Sequence, residues 1–111
     1  MYSKHGINRV VERVVLNNQK SNKRYKKNQK KKLLKKAVKK YKKDIENHFA
    51  YLNASNGIRY YYANLDEDNN CNKYIRSYYG KLITVVKVNF DDELRRYHNI
   101  KDINGRNYKY E

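Results

Sequence analysis

Basic side chains concentrate in one stretch of this 111-residue chain. Between Lys23 and Lys43, 13 of 21 residues are Lys or Arg and none is acidic. Cationic side chains at this density are typical of a surface that binds the phosphates of a polyanion, most often nucleic acid. Lysine positions a protein on a nucleic-acid backbone, whereas arginine is expected where bases are read. The stretch therefore predicts recognition of a backbone or of shape, not of a base sequence.

The net charge of the chain lies entirely in its first part. Residues 1–43 carry 17 basic side chains and one acid, whereas residues 44–111 carry ten of each sign. An AT-rich coding bias explains the abundance of lysine but not its position. If about eight of these lysines neutralise phosphates on a duplex, the logarithm of the affinity falls with the logarithm of salt concentration at a slope of about −7.

The predicted nucleic-acid contacts are 15 of the 17 basic residues of this segment, together with one tyrosine. They are Arg9, Arg13, Lys20, Lys23, Arg24, Tyr25, Lys26, Lys27, Lys30, Lys31, Lys32, Lys35, Lys36, Lys39, Lys40 and Lys43.

Residues for catalysis or metal binding do not group along the chain. The three histidines are far apart, and a single cysteine, Cys71, excludes an internal disulfide and a cysteine-rich zinc site. The acidic residues 66–68 and 91–93 are predicted as a soluble turn and a helix start. No catalytic residue, metal or cofactor is predicted, and the chain is not expected to be an enzyme.

Two helices are predicted before the sheet. Five aliphatic residues between Ile7 and Val15 recur at helical spacing, which indicates a short helix that docks either on its own domain or in a partner. A long helix is predicted from about Lys23 to Leu52. Its apolar stripe is Leu34, Val38, Tyr41, Ile45, Phe49 and Leu52, flanked by Leu33 and Ala37. Residues 23–32 lack such a stripe and are expected to project from the core.

Strands are predicted after the long helix, at residues 58–65, 73–79 and 81–90. A short helix follows from Asp91, and the tail at 101–111 contains an Asn-Gly turn and is compatible with a short edge strand. The predicted fold is α+β, with a short N-terminal helix, a long Lys-rich helix, a three-stranded antiparallel sheet and a short C-terminal helix. The predicted division is a basic helical arm, residues 1–32, and a small domain, residues 33–111, continuous with the long helix.

Two further patterns allow alternative interpretations. Tyr60 with Tyr62, and Tyr74 with Tyr78, would share strand faces as a stacking surface for unpaired bases, although packing in the core is the simpler interpretation. The basic amphipathic helix could lie on anionic lipid, but its stripe continues into the predicted core. No apolar run is long enough for a transmembrane helix, and no signal region is evident, so no membrane partner and an intracellular location are expected.

Four segments occur along the chain in this order: Ser3-Lys4, residues 21–25 (SNKRY), residues 80–87 (GKLITVVK) and Phe90-Asp91. Their layout resembles that of small phage anti-CRISPR proteins that inhibit type II-A effector nucleases. The resemblance implies a basic arm before a compact α/β domain, and a nuclease with its guide RNA as partner in the cytoplasm of an infected bacterium. Because a mimic of target DNA would be acidic, this basic chain is expected to engage the guide RNA and to hinder DNA loading or cleavage.

Three other functions fit parts of the pattern. A ribosome- or nucleoid-associated protein that binds RNA or DNA backbones would need the same charge. A small nuclease is a second alternative. The αβββα order is also similar to that of double-stranded RNA-binding domains, but their basic cluster lies on the last helix, where residues 91–96 (DDELRR) offer no equivalent.

Overall fold

An antiparallel sheet of five strands separates two layers in the computed structural model, which describes residues 2–16 and 27–108. The strands are β1 (Ala50–Asn53), β2 (Arg59–Ala63), β3 (Asn70–Arg76), β4 (Leu82–Asn89) and β5 (Lys101–Asp102). Their spatial order is β4-β3-β2-β1-β5, and every neighbouring pair is antiparallel. The predicted α+β class is confirmed. The predicted count of three strands is wrong, because β1 and β5 extend the sheet beyond β2.

Three α-helices accompany this sheet in the described residues. They are α1 (Lys4–Val10), which continues as a π-helical turn (Val11–Val15), α2 (Lys27–Glu46) and α3 (Phe90–Arg96). The Ser3 hydroxyl caps α1 by accepting from the Gly6 amide at 2.8 Å. The Asn89 side chain caps α3, whose first turn carries the three acids expected to favour its positive end.

The N-terminal helix docks on its own domain. Ile7 and Val10 are buried against Ala37 of α2 and against Leu82 and Val85 of β4. The aliphatic pattern allowed docking either on its own domain or in a partner, and the structure shows the first. Residues 2–16, which the sequence-based division placed in the basic arm, therefore lie on the sheet together with α2.

The long helix ends at Glu46, six residues before the predicted end at Leu52. The backbone amide and the side-chain amide of Asn47 both donate to the Lys43 carbonyl at 2.9 Å, so a side chain reinforces the last helical hydrogen bond. The Phe49 amide then donates to the Tyr62 carbonyl at 3.0 Å and starts the pairing of β1 with β2. Phe49 and Leu52 continue the helical spacing of the apolar stripe, which misled the prediction, whereas the strand buries Ala50 and Leu52 at a spacing of two.

The other strands lie close to their predicted positions. β2 and β4 fall within the predicted segments 58–65 and 81–90. β3 begins at Asn70, three residues before the predicted strand, and it ends at Arg76. The predicted edge strand in the tail is present as β5, which pairs with β1.

Each face of the sheet has its own hydrophobic cluster. Under α1 and α2, the cluster contains Ile7, Val10, Ala37, Tyr41, Ala63, Tyr74, Leu82 and Val85. On the opposite face, next to α3, it contains Ala50, Leu52, Tyr62, Cys71, Phe90 and Ile100. Because strand side chains alternate between faces, the neighbouring residues of β2 and β3 serve both clusters.

One buried carboxylate fastens α2 to the sheet. Asp44 is 3% exposed and accepts hydrogen bonds from the Tyr74 hydroxyl at 2.5 Å and the Asn64 amide at 2.7 Å. Its other oxygen lies 2.9 Å from Lys40 Nζ. Burial and the hydrogen bond to this carboxylate raise the pKa of Tyr74 above its ordinary value, so the phenol remains a donor. Asp44 thus connects the helix to β3 and to the loop after β2.

Replacing Asp44 with Ala is expected to lower the free energy of unfolding by about 3 kcal/mol, because the buried Tyr74 and Asn64 donors lose their acceptor. Glu46→Ala, an exposed acid on the same helix, is the matched control and should change it by less than about 0.5 kcal/mol. Urea unfolding followed by circular dichroism measures both. Equal effects of the two variants would contradict the anchoring role.

Cys71 is expected to be unreactive in the native protein. The thiol is 4% exposed, and its burial raises its pKa from 9.0 to about 12. Reaction with a disulfide reagent at mildly alkaline pH should be at least about 100-fold slower than in the unfolded chain. Because the unfolded thiol ionises first, its ionisation should reduce stability progressively as pH rises from 9 towards 12. Equal labelling rates would show that the thiol is accessible.

Candidate nucleic-acid interface

A row of lysines covers the outer side of α2. We call Lys32, Lys35, Lys36, Lys39, Lys42 and Lys43 the lysine ridge, and all six are exposed. Lys32, Lys36, Lys39 and Lys43 recur at helical spacing on one face, about 16 Å from first to last at 1.5 Å per residue. The ridge is therefore a continuous cationic surface, because no acid lies between Lys32 and Lys43 and the next acid, Asp44, is buried.

The core-facing side of α2 determines which way the ridge points. Ala37 and Tyr41 are buried, and Leu34, Val38 and Ile45 pack beside them. This part of the predicted apolar stripe is confirmed, whereas Phe49 and Leu52 belong to the other face of the sheet. Helical periodicity then places the ridge on the side opposite Tyr41.

The first turns of α2 carry lysines on every side. Lys27, Lys30, Lys31 and Lys32 are all exposed, as expected for a segment that extends beyond the apolar stripe. Five predicted contacts lie outside the residues that the structure describes. They are Lys20, Lys23, Arg24, Tyr25 and Lys26.

Three predicted contacts already have partners within the protein. Arg9 lies 2.8 Å from Glu12, and Arg13 donates from Nη1 to the Val85 carbonyl at 2.7 Å. Lys40 is paired with Asp44 and donates to the Asn64 side chain at 3.2 Å. The Arg9 pair lies within the N-terminal helical segment, whereas Arg13 and Lys40 connect the helices to β4 and to the loop after β2. Within the described residues, all three side chains therefore differ from those of the lysine ridge in having partners.

A groove between α1 and α2 adds Lys4, which, like Lys42 of the ridge, was not among the predicted contacts. The groove has a volume of about 710 Å³, and Lys4 of α1 lines it with three residues of the lysine ridge. The lining residues are Tyr2, Lys4, Ile7, Asn8, Leu34, Lys35, Lys36, Val38 and Lys39. The fold thus brings α1 and the lysine ridge to one cationic surface, a proximity that follows only from the tertiary packing.

The tyrosines predicted to share strand faces are divided between core and surface. Tyr62 and Tyr74 are fully buried, so they pack in the core. Tyr60 shares the face of Tyr62, as predicted, and its ring lies 5.9 Å from that of Tyr97. Tyr78 does not share a strand with Tyr74, because β3 ends at Arg76 and Tyr78 lies in the following turn, 65% exposed.

A buried ion pair lies on the opposite side of the sheet. Lys73 Nζ is 2.6 Å from Glu93 Oε1, which also accepts from the Tyr62 hydroxyl at 2.9 Å. The ammonium lies over the Tyr60 ring, 4.1 Å from its centroid. Glu93 was predicted only as a helix-start acid, yet its carboxylate is enclosed. The polar groups satisfy one another, which is typical of a structural pair.

Among residues 2–16 and 27–108, no three His, Cys, Asp or Glu side chains gather in a way that could hold a metal ion. Within the same residues, no helix combines the length and apolar character needed to cross a bilayer. The exposed chemistry of this part of the chain is dominated by lysine on α2.

No known protein family, curated protein or solved structure matches this chain significantly.

Proposed function

We propose that this protein binds a nucleic-acid backbone through the lysine ridge and that it does so without catalysis, with RNA as the preferred ligand. The observation that carries the proposal is the ridge itself, six exposed lysines on the outer side of one helix. Because the opposite side is fixed to the sheet, these charges keep a common direction whether or not a ligand is bound.

The electrostatic cost of the ridge favours a polyanion as its ligand. Lysines three and four residues apart repel one another by a few tenths of a kcal/mol for each pair. Phosphates placed along the ridge would replace this repulsion with attraction and would release counterions into solution. The ridge contains no arginine, which favours backbone contact over base recognition.

The resemblance to anti-CRISPR proteins extends the proposal to a specific partner. In this form of the proposal, the lysine ridge contacts the guide RNA of a type II nuclease, and residues 44–111, whose charges balance, contact the nuclease. Binding would hinder DNA loading or the conformational step that precedes cleavage. The positive charge supports binding to RNA and is opposite to that of a DNA mimic.

Substituting the lysine ridge should reduce both affinity and its salt dependence. The variant Lys36→Gln/Lys39→Gln/Lys43→Gln removes three charges from the ridge. The slope of log affinity against log salt for a short fluorescent RNA duplex should become smaller in magnitude by about 2.7, or 0.9 for each lysine that contacts phosphate. Fluorescence anisotropy over a series of salt concentrations measures the slope.

The matched control removes three charges elsewhere. Lys81→Gln/Arg96→Gln/Arg106→Gln substitutes exposed residues outside α2 and changes the net charge equally. Its slope should remain that of the original protein. If both triple variants change the slope equally, net charge alone governs binding and the proposed interface is wrong. Circular dichroism confirms that each variant is folded.

The inhibitory form of the proposal has its own test. Target-DNA cleavage by several type II nuclease–guide complexes is measured with the original protein and with the lysine-ridge variant. Inhibition by the original protein, reduced in the variant, is the expected result. If no complex is inhibited and the protein instead recovers bulk ribosomal RNA or genomic DNA from a lysate at low salt, the ribosome- or nucleoid-associated alternative replaces the inhibitor.

A further inference from the structure

We infer that a pocket at one end of the sheet binds an unpaired nucleotide of the RNA, an inference that rests on the proposed function. The pocket has a volume of about 350 Å³, within the usual range of small-ligand sites. We call it the arginine–tyrosine pocket after its main lining residues, Arg59, Tyr61, Arg76 and Tyr78. None of the residues that line it is acidic.

Two arginines line this pocket from neighbouring strands. Arg59 and Arg76 are directly paired residues of β2 and β3, and their guanidinium carbons lie 5.9 and 5.1 Å from the centroid of the Tyr61 ring. Like charges opposite one another on neighbouring strands are destabilising. In the described part of the chain, neither guanidinium forms an ion pair with a carboxylate. A phosphate would relieve this repulsion.

Both guanidinium groups are held in place by neutral acceptors. Arg76 donates from Nε and Nη2 to the Gly80 carbonyl, at 3.0 and 2.8 Å. Arg59 donates from Nε to the Asn53 side chain at 2.6 Å and from Nη1 to the Tyr61 hydroxyl at 3.2 Å. A guanidinium has five N–H donors, so these bonds orient each group and leave donors for a ligand.

The two turns beside the pocket depend on glycine. Gly57 has a φ of +74°, and a Cβ at this position would lie 2.7 Å from Cβ of Tyr78. Gly80 has a φ of +79°, and a Cβ there would lie 2.9 Å from Nη2 of Arg76. Glycine therefore allows both turns to close against pocket residues.

Tyr78 supplies an exposed aromatic ring at the pocket. It is 65% exposed, and its ring stacks on that of Tyr79 with 3.7 Å between centroids. Exposed rings beside cationic groups are typical of sites where unpaired bases stack and phosphates bind. This combination favours a nucleotide over an acidic peptide, which would use the cations but not the ring.

The pocket and the lysine ridge lie on different sides of α2. The Arg76 guanidinium carbon lies 5.9 Å from the centroid of the Tyr41 ring, on the core-facing side of α2, whereas the ridge lies on the opposite side. The two sites would therefore contact different parts of an RNA. The lysine ridge would provide affinity for any backbone, and the pocket would provide a preference for unpaired RNA.

The test compares single-stranded and duplex RNA. Arg59→Gln and Tyr78→Ala should each weaken binding of a fluorescent oligouridylate by about tenfold, the value of one stacked or ion-paired contact. Binding of an RNA duplex should remain unchanged. Arg106→Gln and Ile103→Ala are matched controls, because both residues are exposed and neither lines the pocket.

The outcomes separate this inference from the proposed function. If the protein binds neither RNA, the proposed function fails. If it binds both RNAs and the pocket variants behave like their controls, only the pocket inference fails. Uridine 5′-monophosphate is added as a competitor, and we expect it to displace the oligouridylate poorly. Displacement as effective as that by unlabelled oligouridylate would assign the pocket to free nucleotides and overturn the assignment to RNA.

Discussion

The attachment of α2 to the sheet is the constraint on which the rest of the structure depends. This helix carries ten lysines between Lys27 and Lys43, and their mutual repulsion opposes its folding. Apolar contacts of its buried side offset that repulsion and turn the lysines towards solvent. Asp44 adds a polar anchor at the end of the helix, because its carboxylate accepts from both Tyr74 and Asn64. Both kinds of contact keep the lysines on the outer side.

The interior uses tyrosine where many small domains use aliphatic residues. A buried phenol requires an acceptor, and the two fully buried tyrosines each have a carboxylate. Tyr74 donates to Asp44 of α2, and Tyr62 donates to Glu93 of α3 on the opposite face. A lysine accompanies each acid, so both sides of the sheet share one arrangement of tyrosine, carboxylate and ammonium. The described residues contain no buried side-chain nitrogen or oxygen atom without a partner.

Local patterns in the sequence predicted the elements whose periodicity has a single interpretation. The β-branched run of β4 and the stripe of α2 from Leu34 to Ile45 are of this kind. Strand β1 could not be predicted, because Phe49 and Leu52 also continue the helical spacing and no glycine or proline marks the end of the helix at Glu46. The start of β3 was missed because Asn70 and Asn72 are usual turn residues.

Only part of the candidate site could be predicted from the sequence. The outward direction of Lys32 to Lys43 followed from the stripe on the other side of the helix. The internal partners of Arg13 and Lys40 did not, because Val85 and Asn64 are distant in sequence and approach only through the tertiary fold. The opposition of Arg59 and Arg76 depends on strand register, which local sequence does not determine.

Lysine protection on RNA binding tests the central claim most directly. Acetylation of the protein with and without a short RNA duplex, followed by mass spectrometry, gives the protection of each lysine. The account predicts that Lys32, Lys36, Lys39 and Lys43 lose reactivity when RNA is bound, while Lys81 and Lys101 remain as reactive as in the free protein. Protection spread equally over both groups, or confined to the second, would contradict the assignment of α2 as the nucleic-acid interface.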